Sequence, residues 1–586
     1  MIQRLPEQIF PFTHEIMPGQ LAEIFNAVLS QMPVLNVGRV KRVTQGLLRQ
    51  GEVVAGSSAD RELSGVIAEA LERLGLSVER HEFTTACWLE EEVELIVEGE
   101  RLKAVALPNS PSGYVEGELV HAGEGESLKL SGLEGKLALI GMTPEDPDYV
   151  VAQYTLALRA GASAVVFYDY SPHTLRRIVL YVVLSYAKGP SLPPPIPAVA
   201  VRREDALKLI KGRRRYAQLS VKTRYSENAK SCNLIAYSEG EPRVLLTAHY
   251  DRWLGGVGDN TVGVALLLQL AEKLRGVRDL GFVVFGAEEY GAPHYTPWYW
   301  SWGSRNYVER LKASGELEEL VAVINLDVPV RSPLTVSASG PEYRESARRL
   351  LGEEGEYELD SPYFDSYSFS SAGVAALTLH SLWRYMDYYH SDRDTLDAVD
   401  WRAVALAGEW AAKLAREVAE RRQRFFRYEA WRAELLTAIA RASRFLEPPA
   451  SLLKVVKSLE PDERMARKLR ARLIRLVADG GLLEPGVFKS VVAPQLLIAE
   501  DLELLEKALN GELEPLKLRE LRLRWVPGED GTLPSIDLEP VSSYLERADS
   551  ESAARYLREV KRVSIAWLEV AYRELLEELV EVLGEA

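Results

Sequence analysis

Cysteine is almost absent from this sequence, since its 586 residues include only Cys87 and Cys232. Two cysteines cannot build a disulfide framework or a zinc site made of thiolates, so both are excluded as sources of stability. The scarcity fits a reducing compartment, and the N-terminus lacks the basic stretch followed by an apolar stretch that marks a signal peptide. These two absences together predict a cytoplasmic protein.

Long apolar runs and an excess of positive charge are missing as well. The longest apolar runs, such as 178–187, are much shorter than the roughly 20 residues of a membrane-spanning helix, so no membrane partner is expected. The chain carries 70 Lys and Arg against 86 Asp and Glu, a net charge of −16. Because an acidic chain repels phosphate backbones, nucleic acid is not an expected partner either.

What is present is an ordinary globular composition, with 47% hydrophobic and 27% charged residues. Compact apolar strands alternate with helical patterns from about 233 to 400, which predicts a mostly parallel sheet sandwiched by helices. Short β-rich runs with one helical pattern at 149–161 predict an inserted domain. From 401 onward the apolar residues recur every three to four positions, which predicts an all-helical domain.

The predicted division therefore comprises a discontinuous α/β domain, a β-rich inserted domain and a C-terminal helical domain, at 1–93 with 226–400, 94–225 and 401–586. The helical domain either caps the α/β core or forms a dimer interface. We expect a homodimer that forms through this domain.

Acidic and histidine residues follow several of the predicted strands, at His249, Asp251, Asp259, Glu288, Glu289, Asp327 and His390. Since the carboxyl ends of parallel strands meet at one edge of a sheet, these side chains are expected to lie together. Each one alone is more typical of a helix cap, a turn or a packed histidine. As a set, the imidazoles and carboxylates predict a metal site with nitrogen and oxygen ligands, which suits two ions, amide hydrolysis and a spare carboxylate as general base.

These residues stand in motifs that resemble those of the co-catalytic zinc exopeptidases, the family of leucyl-type aminopeptidases, glutamate carboxypeptidase II and the transferrin receptor. The matching segments are HYD (249–251), GVGDNTVG (256–263), AEE (287–289), NLD (325–327), FDSYSF (364–369) and HSDRDT (390–395). Residues 53–83 resemble the start of that family's catalytic domain, and 94–225 resemble a protease-associated domain. Val262 and Phe364 depart from the family pattern without removing a ligand.

The resemblance implies a role for each residue at the strand ends. His249 and Asp327 would bind one zinc, Glu289 and His390 would bind a second, and Asp259 would bridge them. The general base would be Glu288, Asp251 would orient His249, and the Tyr389 hydroxyl would stabilise the oxyanion. The family also has a cis peptide after the bridging residue, here Asp259–Asn260. Cobalt or manganese would suit the same ligands.

An aromatic insertion at 292–302 is the largest departure from the family pattern. It either packs on a neighbouring domain or forms a wall of the substrate pocket that favours apolar or aromatic side chains. The candidate pocket residues are Trp298, Trp300, Trp302, Tyr385 and Arg384. The arginine could bind a substrate carboxylate or form a surface ion pair.

The sequence thus predicts a zinc aminopeptidase that acts on peptides. Three alternatives stay open. A carboxypeptidase of the glutamate type would need an arginine cluster, for which only Arg252, Arg331 and Arg384 are scattered candidates. A single-zinc glutaminyl cyclase normally lacks the inserted and helical domains. A non-catalytic scaffold like the transferrin receptor would be expected to have lost metal ligands.

Overall fold

The computed structural model describes residues 35–584 except 125–126, 144–148, 183–190, 212–214, 239, 480–487, 514–522, 526–543 and 546. The N-terminal segment on which the signal-peptide argument rests lies outside the described residues. The helices are α1 (Val37–Leu47), α2 (Ser58–Arg73), α3 (Val150–Arg159), α4 (Arg203–Ile210), α5 (Val262–Leu274), α6 (Trp302–Ser314), α7 (Pro341–Leu351), α8 (Ser366–Ser370), α9 (Trp401–Arg421), α10 (Ala430–Ala442), α11 (Ala450–Lys457), α12 (Glu463–Leu473), α13 (Ile498–Leu509) and α14 (Ser550–Gly584).

The strands form one large sheet of 15 strands and one small sheet of three. Their bounds are β1 (Ser77–Val97), β2 (Glu100–Leu102), β3 (Ala104–Ala106), β4 (Gly113–Glu124), β5 (Ser127–Leu128), β6 (Leu137–Gly141), β7 (Ala164–Tyr168), β8 (Ala198–Val201), β9 (Arg215–Tyr237), β10 (Val244–His249), β11 (Leu280–Phe285), β12 (Ala322–Leu326), β13 (Thr335–Ala338), β14 (Glu356–Leu359), β15 (Ala376–His380), β16 (Ile474–Asp479), β17 (Phe488–Val492) and β18 (Leu523–Trp525).

Four parallel strands, in the order β11-β10-β12-β15, form the centre of the large sheet. Every residue in them is buried, because helices cover both faces. Such strands are apolar along their whole length rather than alternating, which is why the sequence signal is strong there. The predicted mostly parallel α/β sheet is confirmed.

Two hydrophobic cores lie on the two faces of this centre. On one face, α5 and α9 pack through residues such as Leu266 and Leu414 against Leu246 of β10. On the other face, α6 and α8 pack through Tyr307 and Phe369. The helix α9 was assigned to the C-terminal domain by the sequence division at 401, but its packing joins it to the α/β core.

Residues 94–225 extend the same sheet with β4, β6, β7, β8 and β3, and α3 and α4 lie alongside. The long strands β1 and β9 pair antiparallel from Ser77↔Tyr237 to Val97↔Ala217. At one end β9 also pairs with β11, and at the other end with β4. The two regions are therefore parts of one hydrogen-bonded sheet.

The C-terminal region is mainly helical, and its core is formed by α10 to α14. One face of α14 is buried along Leu557, Leu568, Leu575 and Val582, as the 3–4 spacing predicts. The expectation of an all-helical region is wrong in one detail, because β16, β17 and β18 form a small antiparallel sheet. Among the described residues, no helix is long and apolar enough to cross a membrane.

Candidate metal centre

The carboxyl ends of the four central strands bring the predicted acidic and histidine residues to one edge of the sheet. His249 is the last residue of β10, Glu288 and Glu289 follow β11, and Asp327 follows β12. The turn between β10 and α5 contains Asp259, and the loop after β15 contains His390. These six predicted residues, and Asp251 with them, are all at most 7% exposed.

Two groups of three side chains could each hold one metal ion. The first contains His249, Asp259 and Asp327, and the second contains Asp259, Glu289 and His390. Within each group the potential ligand atoms lie within 4.8 Å of one another. The family resemblance implied the same two sets, and the fold brings both together.

The carboxylate of Asp259 belongs to both groups. Its Oδ1 lies 3.4 Å from Nε2 of His249, and its Oδ2 lies 3.7 Å from Nε2 of His390. The peptide bond that follows, Asp259–Asn260, is cis, as the family resemblance implied. One oxygen toward each imidazole is the arrangement that a bridging carboxylate needs.

Asp251 supports the centre mainly through the backbone. Its two carboxylate oxygens accept hydrogen bonds from the amides of Glu288 and Glu289, each at 3.0 Å. Nδ1 of His249 lies 3.1 Å from the Asp251 carbonyl oxygen and 3.7 Å from the carboxylate. Donation from Nδ1–H to that carbonyl leaves Nε2 of His249 with its lone pair toward the acidic side chains.

The carboxylate of Glu288 has a hydrogen-bonding partner that the motif analysis missed. Oγ of Ser301 donates to Oε1 of Glu288 at 3.1 Å, and the Ser301 amide donates to the Glu288 carbonyl at 2.6 Å. Ser301 adopts a left-handed backbone with φ of 48°. It lies at the end of the aromatic insertion, so a local motif ending at Glu289 could not find it.

Asp394, the last acidic residue of the HSDRDT segment, is a second supporting residue that the motif analysis did not identify. It accepts hydrogen bonds from the amides of Gly258 and Asp259 and from the hydroxyl of Tyr385, at 2.7, 3.1 and 2.7 Å. Burial raises the pKa of Asp394 to about 7, and these donors oppose the rise. The residue therefore fixes the turn that carries Asp259.

The centre carries much more negative than positive charge. Burial, with the neighbouring carboxylates, raises the pKa of Glu288 and Glu289 well above the usual range. Burial disfavours the imidazolium of His249, but Asp327 and Glu288 outweigh it and raise the pKa of His249. Buried carboxylates this close together need a compensating cation.

The donor set fits a divalent metal. Among the described residues, Nε2 of His249 and Oε1 of Glu289 have no hydrogen-bond partner although both are buried. Imidazole nitrogens and carboxylate oxygens are ligands that zinc accepts. A metal ion in each atom's own ligand group would satisfy that atom and supply the missing positive charge.

A cavity opens onto these ligands. Aromatic and apolar side chains form the rest of its wall, namely Tyr299, Trp300, Val328, Tyr363, Phe364, Leu382 and Tyr389. The rings of Trp300 and Tyr363 stack at 6.0 Å, and the indole N–H of Trp300 donates to the Pro362 carbonyl at 2.6 Å. Tyr389 stacks on the ring of His390 at 3.6 Å.

Only Trp300 of the five predicted pocket residues lines this cavity. Trp302 donates to the Thr84 carbonyl and packs in a small separate cluster, and the ring of Trp298 contacts that of Trp300 at a centroid distance of 5.0 Å. The hydroxyl of Tyr385 is committed to Asp394, and Arg384 forms an ion pair with Glu356. Sequence proximity to His390 was therefore a poor guide, because neighbouring side chains of a loop point in different directions.

Residues 233–415 match the model of peptidase family M28. This segment is therefore similar to the peptidases of family M28. It contains every residue of the two metal-binding groups and the supporting residues Asp251, Ser301 and Asp394.

Three known proteins are similar to the chain. Carboxypeptidase Q from Bos taurus is 28% identical over 277 residues, which are 42% of this chain and 53% of that protein. The chain thus spans about half the length of this curated relative.

BSAP, a zinc aminopeptidase from Bacillus subtilis, has a TM-score of 0.51 at 23% identity, covering 64% of this chain and 94% of its own. A peptidase M28 precursor from Shewanella amazonensis SB2B has a TM-score of 0.55 at 19% identity, covering 68% and 97%. The two solved structures share the fold of this chain's α/β region.

Proposed function

We propose that this chain is a zinc-dependent aminopeptidase, which removes N-terminal residues from peptides at a centre of two zinc ions. The observation that carries the proposal is the pair of buried ligand groups that share Asp259. His249 and Asp327 would hold one ion, and Glu289 and His390 the other. Zinc bound there would polarise the scissile carbonyl and lower the pKa of an adjacent water.

Glu288 is the residue that moves protons in this proposal. Its carboxylate takes a proton from the attacking water and passes it to the nitrogen of the leaving peptide. The hydrogen bond from Ser301 fixes Oε1, and the two amides bound by Asp251 fix the backbone of Glu288 and its neighbour. The Tyr389 hydroxyl, in the wall of the cavity, would stabilise the oxyanion.

The described side chains around the cavity support binding of an amino terminus rather than a carboxyl terminus. Its lining includes four acidic residues, and among the described lining residues there is no Lys or Arg. The candidate arginines are engaged elsewhere. Arg252 donates to the carbonyls of Gly51 and Leu47, and Arg331 stacks on tyrosine rings. A carboxypeptidase needs a cationic side chain to bind the terminal carboxylate of its substrate, so the absence of one from the described lining supports the aminopeptidase.

The aromatic wall supports a preference for apolar or aromatic side chains at the cleaved residue. The stacked pair of Trp300 and Tyr363 offers a flat apolar surface beside the ligands. Burying a large apolar side chain against it is worth about 1.5–3 kcal/mol relative to leaving the side chain in water.

Carboxypeptidase action is the second candidate, favoured by the similarity to Carboxypeptidase Q. One experiment separates the two. The purified chain is assayed for metal content by elemental analysis, and then for hydrolysis of aminoacyl-anilides and of N-blocked dipeptides, with and without a chelator. Two zinc ions per chain and chelator-sensitive anilide hydrolysis support the proposal. Cleavage of the N-blocked dipeptides alone would replace it by the carboxypeptidase, and a chain without metal and without activity would overturn both.

Three expectations from the sequence stay predictions. They are the homodimer through the C-terminal region, the cytoplasmic location and the resemblance of residues 94–225 to a protease-associated domain.

A further inference from the structure

The loop that carries His390 is held in an unfavourable conformation. His390 has φ of 52°, in the left-handed region that a residue other than glycine rarely adopts. A backbone of this kind costs about 1–3 kcal/mol and persists only where its surroundings enforce it. The residues around His390 must therefore supply contacts that keep the loop in place.

Those contacts come from the inserted region, more than 200 positions earlier in the chain. The amide of Arg177 donates to the His390 carbonyl at 2.9 Å, and the amide of Asp392 donates to the Leu175 carbonyl at 3.0 Å. The Leu175 amide in turn donates to the Asp392 carboxylate at 2.9 Å. The two segments thus lie side by side like a short antiparallel pair, with Arg176 opposite Ser391.

The guanidinium of Arg176 adds side-chain hydrogen bonds between the two segments. Its Nε donates to the carboxylate of Asp169 at 2.7 Å, and its Nη1 donates to the carbonyls of Met386, at 2.9 Å, and Tyr389. Arg176 is 0% exposed and Asp169 is 1% exposed. The rigid fork of an arginine can serve the carboxylate and the carbonyls together, which the single ammonium of a lysine cannot do.

We propose that Arg176 is a positioning residue for the metal centre, which orients Tyr389 and His390 by binding the loop carbonyls. The proposal rests on the proposed function for the roles of these two residues. It gives the inserted region a part in the active site, because a residue outside the M28 segment fixes one of the zinc ligands.

If Arg176 only stabilised the fold, replacing it would affect zinc retention and kcat no more than replacing another buried polar contact of the inserted region. Tyr154 provides such a contact for comparison. Its hydroxyl donates to the Ile196 carbonyl at 2.8 Å and accepts from the Ile196 amide at 3.1 Å. Tyr154 is as deeply buried as Arg176, at 0% exposure, and among the described residues its hydroxyl bonds to Ile196 rather than to residues 386–392.

The test compares R176K with Y154F in the full chain. A double variant, R176M with D169N, removes both charges of the buried pair so that neither is left unpaired. Zinc retention is measured by competition with a chelator, and kcat and KM are measured on a leucyl-anilide. We expect R176K and the double variant to release one zinc ion at about 10-fold lower chelator concentration and to lower kcat about 10-fold with little change in KM, as loss of support behind a ligand does.

Two results would overturn the proposal. One is a folded R176K enzyme with unchanged zinc retention and unchanged kcat, and the other is an equal loss in Y154F. Hydrogen exchange of the amides in 386–392 separates this proposal from the proposed function. If the wild-type chain bound no zinc, the proposed function would fail, while faster exchange in R176K than in Y154F would still support the positioning role and equal exchange would reject it.

Discussion

Ser301 donates a hydrogen bond of 3.1 Å to Oε1 of Glu288, and it does so from a left-handed backbone. A hydrogen bond to a charged group is worth about 1.5–3 kcal/mol. We therefore expect S301A to lower kcat about 10-fold or more on an aminoacyl-anilide, with KM nearly unchanged. S301G is the matched control, because it also loses the hydroxyl but relieves the strained φ. Equal losses of kcat in S301A and S301G would assign the effect to the hydroxyl rather than to backbone strain. Equal kcat values for wild type and S301A would show that the contact does not hold the base.

Replacing the base itself separates chemistry from metal binding. E288Q keeps the size and the hydrogen bond from Ser301 but cannot accept a proton. General base catalysis contributes about 10²- to 10⁴-fold, so we expect a rate loss of that order with the fold and zinc content unchanged. The measurement pairs steady-state kinetics with elemental analysis of the same sample. An E288Q enzyme with wild-type turnover would remove Glu288 from its role.

The shared carboxylate of Asp259 predicts a difference between two substitutions. D259A removes a ligand from both groups, whereas D327A removes one from the first group only. After dialysis we expect zinc content to fall at both sites in D259A and mainly at one site in D327A. Elemental analysis per mole of chain decides the matter. If D259A retained two ions per chain, Asp259 would not be the bridge.

The aromatic wall predicts a change of specificity. Trp300 lines the cavity, and Trp302, two positions on, does not. We expect W300A to lower kcat/KM for a phenylalanyl-anilide about 10-fold relative to an alanyl-anilide, as an apolar surface of this size is lost. W302A should leave this ratio unchanged even where it lowers stability. An unchanged ratio of the two kcat/KM values in W300A would mean that other residues determine the preference for aromatic side chains.

A buried acid away from the metal centre predicts a pH-dependent stability. Burial raises the pKa of Asp360 to about 7, although the hydroxyls of Ser366 and Ser370 oppose the rise. The pKa of an aspartate in the unfolded chain is about 3.9. Its contribution to the free energy of unfolding is thus fully present below about pH 4 and is lost as the pH rises through about 7, by at most about 4 kcal/mol.

Denaturant unfolding of wild type and D360N between pH 5 and pH 9 measures this contribution. We expect the stability of D360N relative to wild type to increase with pH. Other buried acids titrate in both proteins, so the difference between them isolates Asp360. A constant difference across the range would mean that the pKa of Asp360 is not raised.

The sequence carried strong information about the central sheet and the candidate metal ligands at its edge. The four central strands are short apolar runs, and each ends near an Asp, Glu or His, so both the strands and the edge where they meet could be predicted locally. The same reasoning failed for Arg176, because its partners Met386 and Tyr389 are distant in sequence. It also failed for Tyr385, since nothing in a loop sequence indicates which side chain turns toward the cavity.

The paired strands β1 and β9 also limit how the active site can open. They run without interruption from the catalytic sheet into the inserted region, and their register shifts only near Thr85/Cys87 and Glu90/Glu92. A swing of the inserted region would have to bend this two-stranded ribbon or break its ladder. Under the proposed function, substrate entry and product exit would therefore rely on movements of side chains and single loops rather than on rotation of the whole inserted region.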